Sequence, residues 1–193
     1  MQATRDAGLI ADLDVTRILN EPTAAALAFG VLESADGVEE GEDGGGGGKC
    51  SNMLVFDFGG GTLDVTIMEI QGQSFKVKST DGDMRLGGED IDALLVAHFV
   101  KVCKATTGVD LEGLDEGKKK CKAYKRLYSA CSRLKVDLSR TSESDFTIDD
   151  LVDGVCFEAS MDRPSFDSIV SPLLERIRIP IDRALQKVTS IGE

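Results

Sequence analysis

Histidine is nearly absent from this chain, with His98 the single one. No His–His pair can therefore hold a metal, and its place among Leu94, Leu95 and Val102 gives it a packing role. Cysteine offers no framework either. Five stand at positions 50, 103, 121, 131 and 156, an odd number without a C-x-x-C pair, which fits neither a disulfide scaffold nor a zinc site. Free thiols suit a reducing compartment, so a cytoplasmic protein is expected. Cys103, Cys121 and Cys131 fall on apolar helix faces and read as core. No apolar run approaches the roughly 20 residues that span a bilayer, and no charged-then-apolar leader follows Met1, so no membrane partner is expected. Positive charge is scarce as well. Lys and Arg number 22 against 34 Asp and Glu, and the resulting net charge of −12 argues against nucleic acid as a partner.

What remains is a chain of 193 residues, 41% apolar and 29% charged, enough for one large domain or two small lobes with real cores. Its organising stretch is Asn52 to Ile70. Met53 to Phe56 reads as a buried strand and Leu63 to Ile70 as an alternating one. Between them lies Asp57-Phe58-Gly59-Gly60-Gly61-Thr62, whose three glycines allow φ > 0 and let backbone N–H groups approach an anion. Asp57 and Asp64 flank the turn beside Thr62, an arrangement that suits a nucleotide held with a divalent cation. An ordinary glycine hairpin with aspartates in turn positions would look the same.

In chain order, residues 3–11 read as the end of a helix and Val15 to Leu19 as a strand. Asn20 is an N-cap with Glu21 and Pro22 in the first turn, and the alanines carry the helix to Gly30 as its stop. Glu21 is either a dipole-favoured acid or a carboxylate aimed into a site at the end of the strand. Leu32 to Ser51 is a loop with Gly44 to Gly48 in a row. No Lys-Ser or Lys-Thr follows, so it is spacer rather than a P-loop.

Ser74 to Ser79 supplies a third antiparallel strand, and a lobe boundary is expected at Gly87-Gly88. A helix follows with Ile91, Leu94, Leu95, His98, Phe99 and Val102 at a 3.6 period, ending at Gly108. The next runs from about Asp115 to Leu138 with Cys121, Tyr124, Leu127, Cys131, Leu134 and Leu138 buried. Its basic first half is either a solvated face or a binding patch. Lys135 and Ser139, one turn apart, can reach a ligand together. Ser144 to Asp149 and Val155 to Met161 form a hairpin through Asp153-Gly154. Asp162 caps a helix that Pro180 interrupts, and Ile181 opens a separate one.

Three stretches then match a family. Ile18 to Gly30 (Ile-Leu-Asn-Glu-Pro-Thr-Ala-Ala-Ala-Leu-Ala-Phe-Gly), Val55 to Val65 and Leu86 to Asp90 (Leu-Gly-Gly-Glu-Asp) closely resemble the seventy-kilodalton heat-shock chaperones of the DnaK type, in that family's order and spacing. The resemblance extends more weakly from Gln2 to about Ile191. It implies an α/β actin-like (ribonuclease H-like) ATPase fold, present in part. Residues 1–31 would end the first lobe and include a crossing helix. Residues 32–51 would be a glycine-rich acidic loop, and 52–87 the lower part of the second lobe with the phosphate hairpin. Residues 88–170 would be the whole upper subdomain, and 171–193 the helices returning to the second lobe's base.

The resemblance also implies roles. Gly59, Gly60, Gly61 and Thr62 look like a loop gripping the β- and γ-phosphates of ATP or ADP, and Gly88 lies in the same cofactor site. Asp57 is similar to the acid that holds magnesium through water. Asp64 resembles the one that positions attacking water or a monovalent cation such as potassium. Glu21 looks like the cleft carboxylate near the γ-phosphate, and Lys135 and Ser139 match residues that touch the adenosine. The chemistry would be in-line attack of water on the γ-phosphate. Nucleotide-exchange factors and J-domain co-chaperones would be the partners, with unfolded clients bound by other regions.

Departures matter too. The start at Met1 reads as an opening cut into a longer chain. The family's earlier phosphate loop and catalytic lysine would precede Met1, and its later adenine-closing segment would follow Glu193. The isolated chain is therefore expected to bind nucleotide no tighter than about a millimolar. The family's Glu and Arg in the adenine clamp are Ser132 and Val136 here. Loss of that stacked arginine removes about 1–2 kcal/mol when the contact is desolvated. Two other readings stand beside this one, a different actin-fold ATPase and a nucleotide-degenerate relative that serves as a docking module for exchange factors.

Overall fold

The computed structural model describes residues 2–35, 50–71, 74–114 and 117–189. The chain forms two compact units. The first comprises Met1–Asp57, Asp64–Gly82 and Ile181–Glu193, the second Phe58–Leu63 and Asp83–Pro180.

The first unit opens with α1 (Gln2–Ile10), which buries no residue. Val15 lies so close to this helix that a Cβ on Gly8 would fall 2.4 Å from its Cγ2. Val15 to Leu19 is not a strand, because residues 13–20 carry no regular structure. β-Propensity alone cannot hold an extended segment that has no partner strand. α2 (Glu21–Ala35) starts where the Asn20 carbonyl accepts the N–H of Ala24 at 2.9 Å. It passes through Gly30 instead of stopping there. An interior glycine costs only about 1 kcal/mol, too little to end a helix whose next residues continue it. The expected glycine-rich loop shrinks accordingly, and its core, residues 36–49, lies outside the described residues.

β1 (Cys50–Phe58), β2 (Leu63–Gln71) and β3 (Ser74–Asp83) form one sheet in the order β1-β2-β3. The sequence between neighbours is too short for a crossover, which makes them antiparallel. β2 does not alternate as expected, since Val65, Thr66, Ile67 and Met68 are buried in succession. That pattern belongs to a central strand covered on both faces.

In the second unit, α3 (Gly88–Thr107) and α4 (Lys118–Asp137) pack over the hairpin of β4 (Glu143–Val152) and β5 (Val155–Asp162). Leu95, Phe99, Cys103, Leu127, Cys131, Leu134 and Phe157 form its core. Phe146 stands edge-on to both Phe99 and Phe157. Gly108 ends α3 in the left-handed conformation at φ 74°, as expected of a helix-stopping glycine. Cys103 and Cys131 are buried, whereas Cys121 is exposed. The expected stripe keeps Leu127, Cys131, Leu134 and Leu138 and gains Ala123 and Ala130, which turns Cys121 outward.

The hairpin turns at Asp153-Gly154, with Gly154 at φ 84°. Three β4 residues face one on β5 between the pairs Ile148↔Phe157 and Val152↔Val155, a bulge at which Asp150 takes φ 49°. The basic half of α4 ties this tip down. Lys119 pairs with Asp153 at 2.8 Å, and Arg126 donates to the carbonyls of Asp149 and Asp150.

Asp162 caps the last helix by accepting the Ser165 N–H at 2.9 Å. That helix, α5 (Arg163–Thr189), runs unbroken through Pro172 and Pro180, so the expected interruption is absent. A proline removes one backbone bond and crowds one carbonyl. Here Val170, Leu173 and Pro180 are all buried in the second unit, which offsets that loss.

Replacing Phe157 by Ala should lower the stability of the second unit by about 3–5 kcal/mol in a urea titration. His98 gives a pH prediction. Stacked edge-on against Phe99, its imidazole is held below the ordinary value of 6.5 by burial and then by the charge of Lys101. The unfolded chain therefore takes up this proton first. Stability should fall as the pH drops from about 6.5 through the folded value, and then level off. Urea midpoints at pH 7.5 and 5.5 should differ, and His98→Gln should flatten that difference.

Candidate functional site

The glycine turn 59–62 is mounted on the N-terminus of α3. The first turn of any helix leaves amides without partners inside it. Here the Gly88 N–H donates to the Gly59 carbonyl at 2.9 Å, and the Glu89 N–H to the Gly60 carbonyl at 2.8 Å. In a trans peptide the carbonyl and the following N–H point in opposite directions. With the Gly59 and Gly60 carbonyls turned to α3, the N–H groups of Gly60 and Gly61 must point away from it. Among the described residues, the N–H groups of Gly60, Gly61 and Thr62 have no partner, while Gly59 closes the turn onto the Thr62 carbonyl at 2.9 Å. Consecutive free amides in a turn are of the kind that can receive an anion.

The glycines are needed for a reason other than the expected one. Among the described residues, positive φ at glycine occurs only at Gly108 and Gly154, so the turn does not use it. Nor does packing require Gly61, because a Cβ there would meet nothing within 4 Å. The crowded position is Gly87, whose Cβ would sit 2.3 Å from the Gly60 oxygen and 2.5 Å from the Gly61 nitrogen. Gly87 is bare so that α3 can approach the turn, and Gly61 is bare toward open space.

The other expected site residues divide between the units. Gly59 to Thr62, Gly88, Lys135 and Ser139 belong to the second, and Glu21, Asp57 and Asp64 to the first. Glu21 is exposed at the start of α2. Asp57 is half-buried near the end of β1, and Asp64 is exposed at the start of β2. The Lys135 ammonium donates to the Gly88 carbonyl at 3.0 Å and stands 2.8 Å from Asp92 Oδ1. Ser139 donates to the Val136 carbonyl at 2.6 Å, a local bond at the end of α4.

Asp92 is the residue that sequence reasoning missed. Its carboxylate is 4% exposed. Tyr128 donates to Oδ2 at 3.2 Å, while Oδ1 faces the ammonium as an ion pair at an angle short of a hydrogen bond. Losing one member of a fully buried pair costs about 3–5 kcal/mol, and less here because Lys135 keeps some exposure. Asp92 also leaves a mark on its neighbours. The Cys131 thiol is pushed up to about 12, by burial first and then by the Asp92 charge. The Tyr128 phenol is raised by burial and by the same carboxylate. The signal was in the sequence, since Asp92 lies on the stripe of Leu95, Phe99 and Cys103.

With this geometry in place, known proteins offer a comparison. The family profile described as "Hsp70 protein" matches residues 1–191. The chain belongs to the Hsp70 family. It is 42% identical over 185 residues to a heat shock 70 kDa protein of Trichophyton rubrum, with 96% of the chain covered and 26% of the relative. It is 43% identical over 185 residues to one from Penicillium citrinum (96% and 33% covered). The match to the chaperone protein DnaK of Thermoplasma acidophilum is 41% over 189 residues (96% and 28% covered). The chain thus spans about a quarter to a third of the length of these Hsp70 relatives. Hsp70 membership implies the actin-like ATPase fold, and the α/β units with small sheets are consistent with part of such a domain. No helix among the described residues is long and apolar enough to cross a membrane.

A methyl group at Gly87 has nowhere to go between α3 and the turn. Gly87→Ala should cost about 1–3 kcal/mol and speed hydrogen exchange at the Gly88 and Glu89 amides. Both can be read from one denaturation series with exchange detected by NMR.

Proposed function

We propose that residues 59–62 form the phosphate-binding turn of an ATP-binding and hydrolysing chaperone domain. The carrying observation is the row of unpartnered amides at Gly60, Gly61 and Thr62, on a turn whose carbonyls are fixed toward α3. Gly61, bare without a conformational or packing need, fits close approach of a polyphosphate. Among the described residues, no group of three or more His, Cys, Asp or Glu is placed to hold a metal. Magnesium would come with the phosphates and its own water, with Asp57 holding it through that water. When bound, it would neutralise charge on the β- and γ-phosphates.

In this reading Glu21, Asp57, Thr62 and Asp64 are the catalytic set, with Asp64 placing water or a potassium ion. Gly88, Lys135 and Ser139 serve the nucleotide's other end. Residues 1–31 close the first lobe, 52–87 and 171–193 build the second lobe's base, and 88–170 form its upper subdomain. The protein works in the cytoplasm with J-domain co-chaperones and exchange factors, and its ATP cycle drives client folding.

Gly61→Ala separates this reading from a plain hairpin. It should leave stability within about 0.5 kcal/mol, since nothing surrounds the added methyl. Mg-ATP at millimolar concentration should shift the Gly60, Gly61 and Thr62 amide resonances of the unmodified chain, and less so in the variant. Resonances that ignore Mg-ATP in both would defeat the proposal.

A second reading has one observation behind it. Tyr128, Ser132, Arg133 and Val136 line an open hollow of about 420 Å³ on α4, where the shortened clamp leaves space. A docking module without hydrolysis would tolerate that space. Restoring the clamp with Ser132→Glu and Val136→Arg should tighten ATP binding if the first reading holds, and leave it unchanged if the second does.

A further inference from the structure

Gly59 and Gly60 are held by α3, but something must hold the first turn of α3. Asp90 takes the Gly87 N–H at 2.8 Å and closes the cap from within the helix. The only side chain of α4 bonded to that first turn among the described residues is Lys135, through the Gly88 carbonyl at 3.0 Å. Its ammonium is in turn fixed by buried Asp92, and Asp92 by the Tyr128 hydroxyl. A continuous line therefore runs from Tyr128 through Asp92, Lys135 and Gly88 to the Gly59 carbonyl.

We infer that Asp92 and Tyr128 are positioning residues for the phosphate turn, acting through Lys135. The inference rests on the reading of residues 59–62 as a phosphate cradle. Among the described residues, Asp92 is the one anionic partner the cation has. Asp92 sets how far Lys135 can leave Gly88, and so ties ligand capture at α4 to the aim of the turn's amides. Asp92 is suited to that task because its Oδ1 has no hydrogen bond of its own and depends on the ammonium. A carboxylate serving packing alone would be fully bonded, or replaced by an apolar side chain on the same stripe.

The test uses the chain as it is, with Mg-pyrophosphate as the probe and amide resonances as the readout. Tyr128→Phe keeps the ring and deletes only the hydroxyl, so it serves even if Asp92→Asn fails to fold. Without ligand, each variant should move the Gly59, Gly60, Gly61 and Gly88 amides while leaving Cys103 and Phe157, deep in the core, in place. With the probe, apparent affinity at the turn should weaken about two- to thirtyfold. A double variant Asp92→Asn/Lys135→Gln, which removes both charges together, should recover part of the loss. Core resonances moving as much as the glycines would reduce Asp92 to a packing residue and overturn the inference. So would glycine amides that stay still in both single variants. A turn that ignores pyrophosphate in the unmodified chain, while its amides still move in Tyr128→Phe, would overturn the phosphate reading and leave the mechanical link standing.

Discussion

An α-helix begins with amides that its own ladder cannot use, and the second unit is arranged around what α3 does with them. Two go to the carbonyls of Gly59 and Gly60, a third to the Gly87 carbonyl at 3.1 Å. Because peptides are planar, fixing those two carbonyls also fixes the direction of the next two N–H groups. The direction of the turn's free amides is therefore a property of the helix beneath it. The partial positive charge at the start of α3 adds to the same field and favours an anion nearby. Gly87 follows from this contact, since no side chain fits at 2.3 Å from a backbone oxygen.

Much of this was legible in the residues. Periodicity located α3, α4 and the β4–β5 hairpin, and Asp153-Gly154 and Gly108 marked their turn and stop, because such positions demand particular backbone angles. The family's motifs picked out the turn and the Leu-Gly-Gly-Glu-Asp stretch separately, and the backbone brings them together. The failures share a cause. At Val15 to Leu19, Gly30 and Pro180 local preference pointed one way and the structure went the other. A segment with no partner strand among the described residues cannot be a strand, one glycine costs too little to end a helix, and a helix with a buried face absorbs a proline.

The turn was legible in composition but not in its mechanics. Three glycines beside a threonine stand out in the sequence, yet the reason offered for them, positive φ, is not the one the backbone uses. Asp92 is an acid, a residue type that ordinarily faces solvent. It faces inward instead, one residue beyond Ile91 on the stripe that leads to Leu95 and Phe99. A charge placed where a leucine would pack stabilises less than the leucine. It does confer directionality, because only one cation at one distance can satisfy it.

The thiols of the second unit have a practical corollary. Cys103 and Cys131 are sealed in the interior, while Cys121 and Cys156 face solvent. A maleimide dye would label the accessible pair in the native state and reach the sealed pair only when the core opens. The unit thus carries its own gauge of integrity, legible by mass spectrometry without any engineered tag.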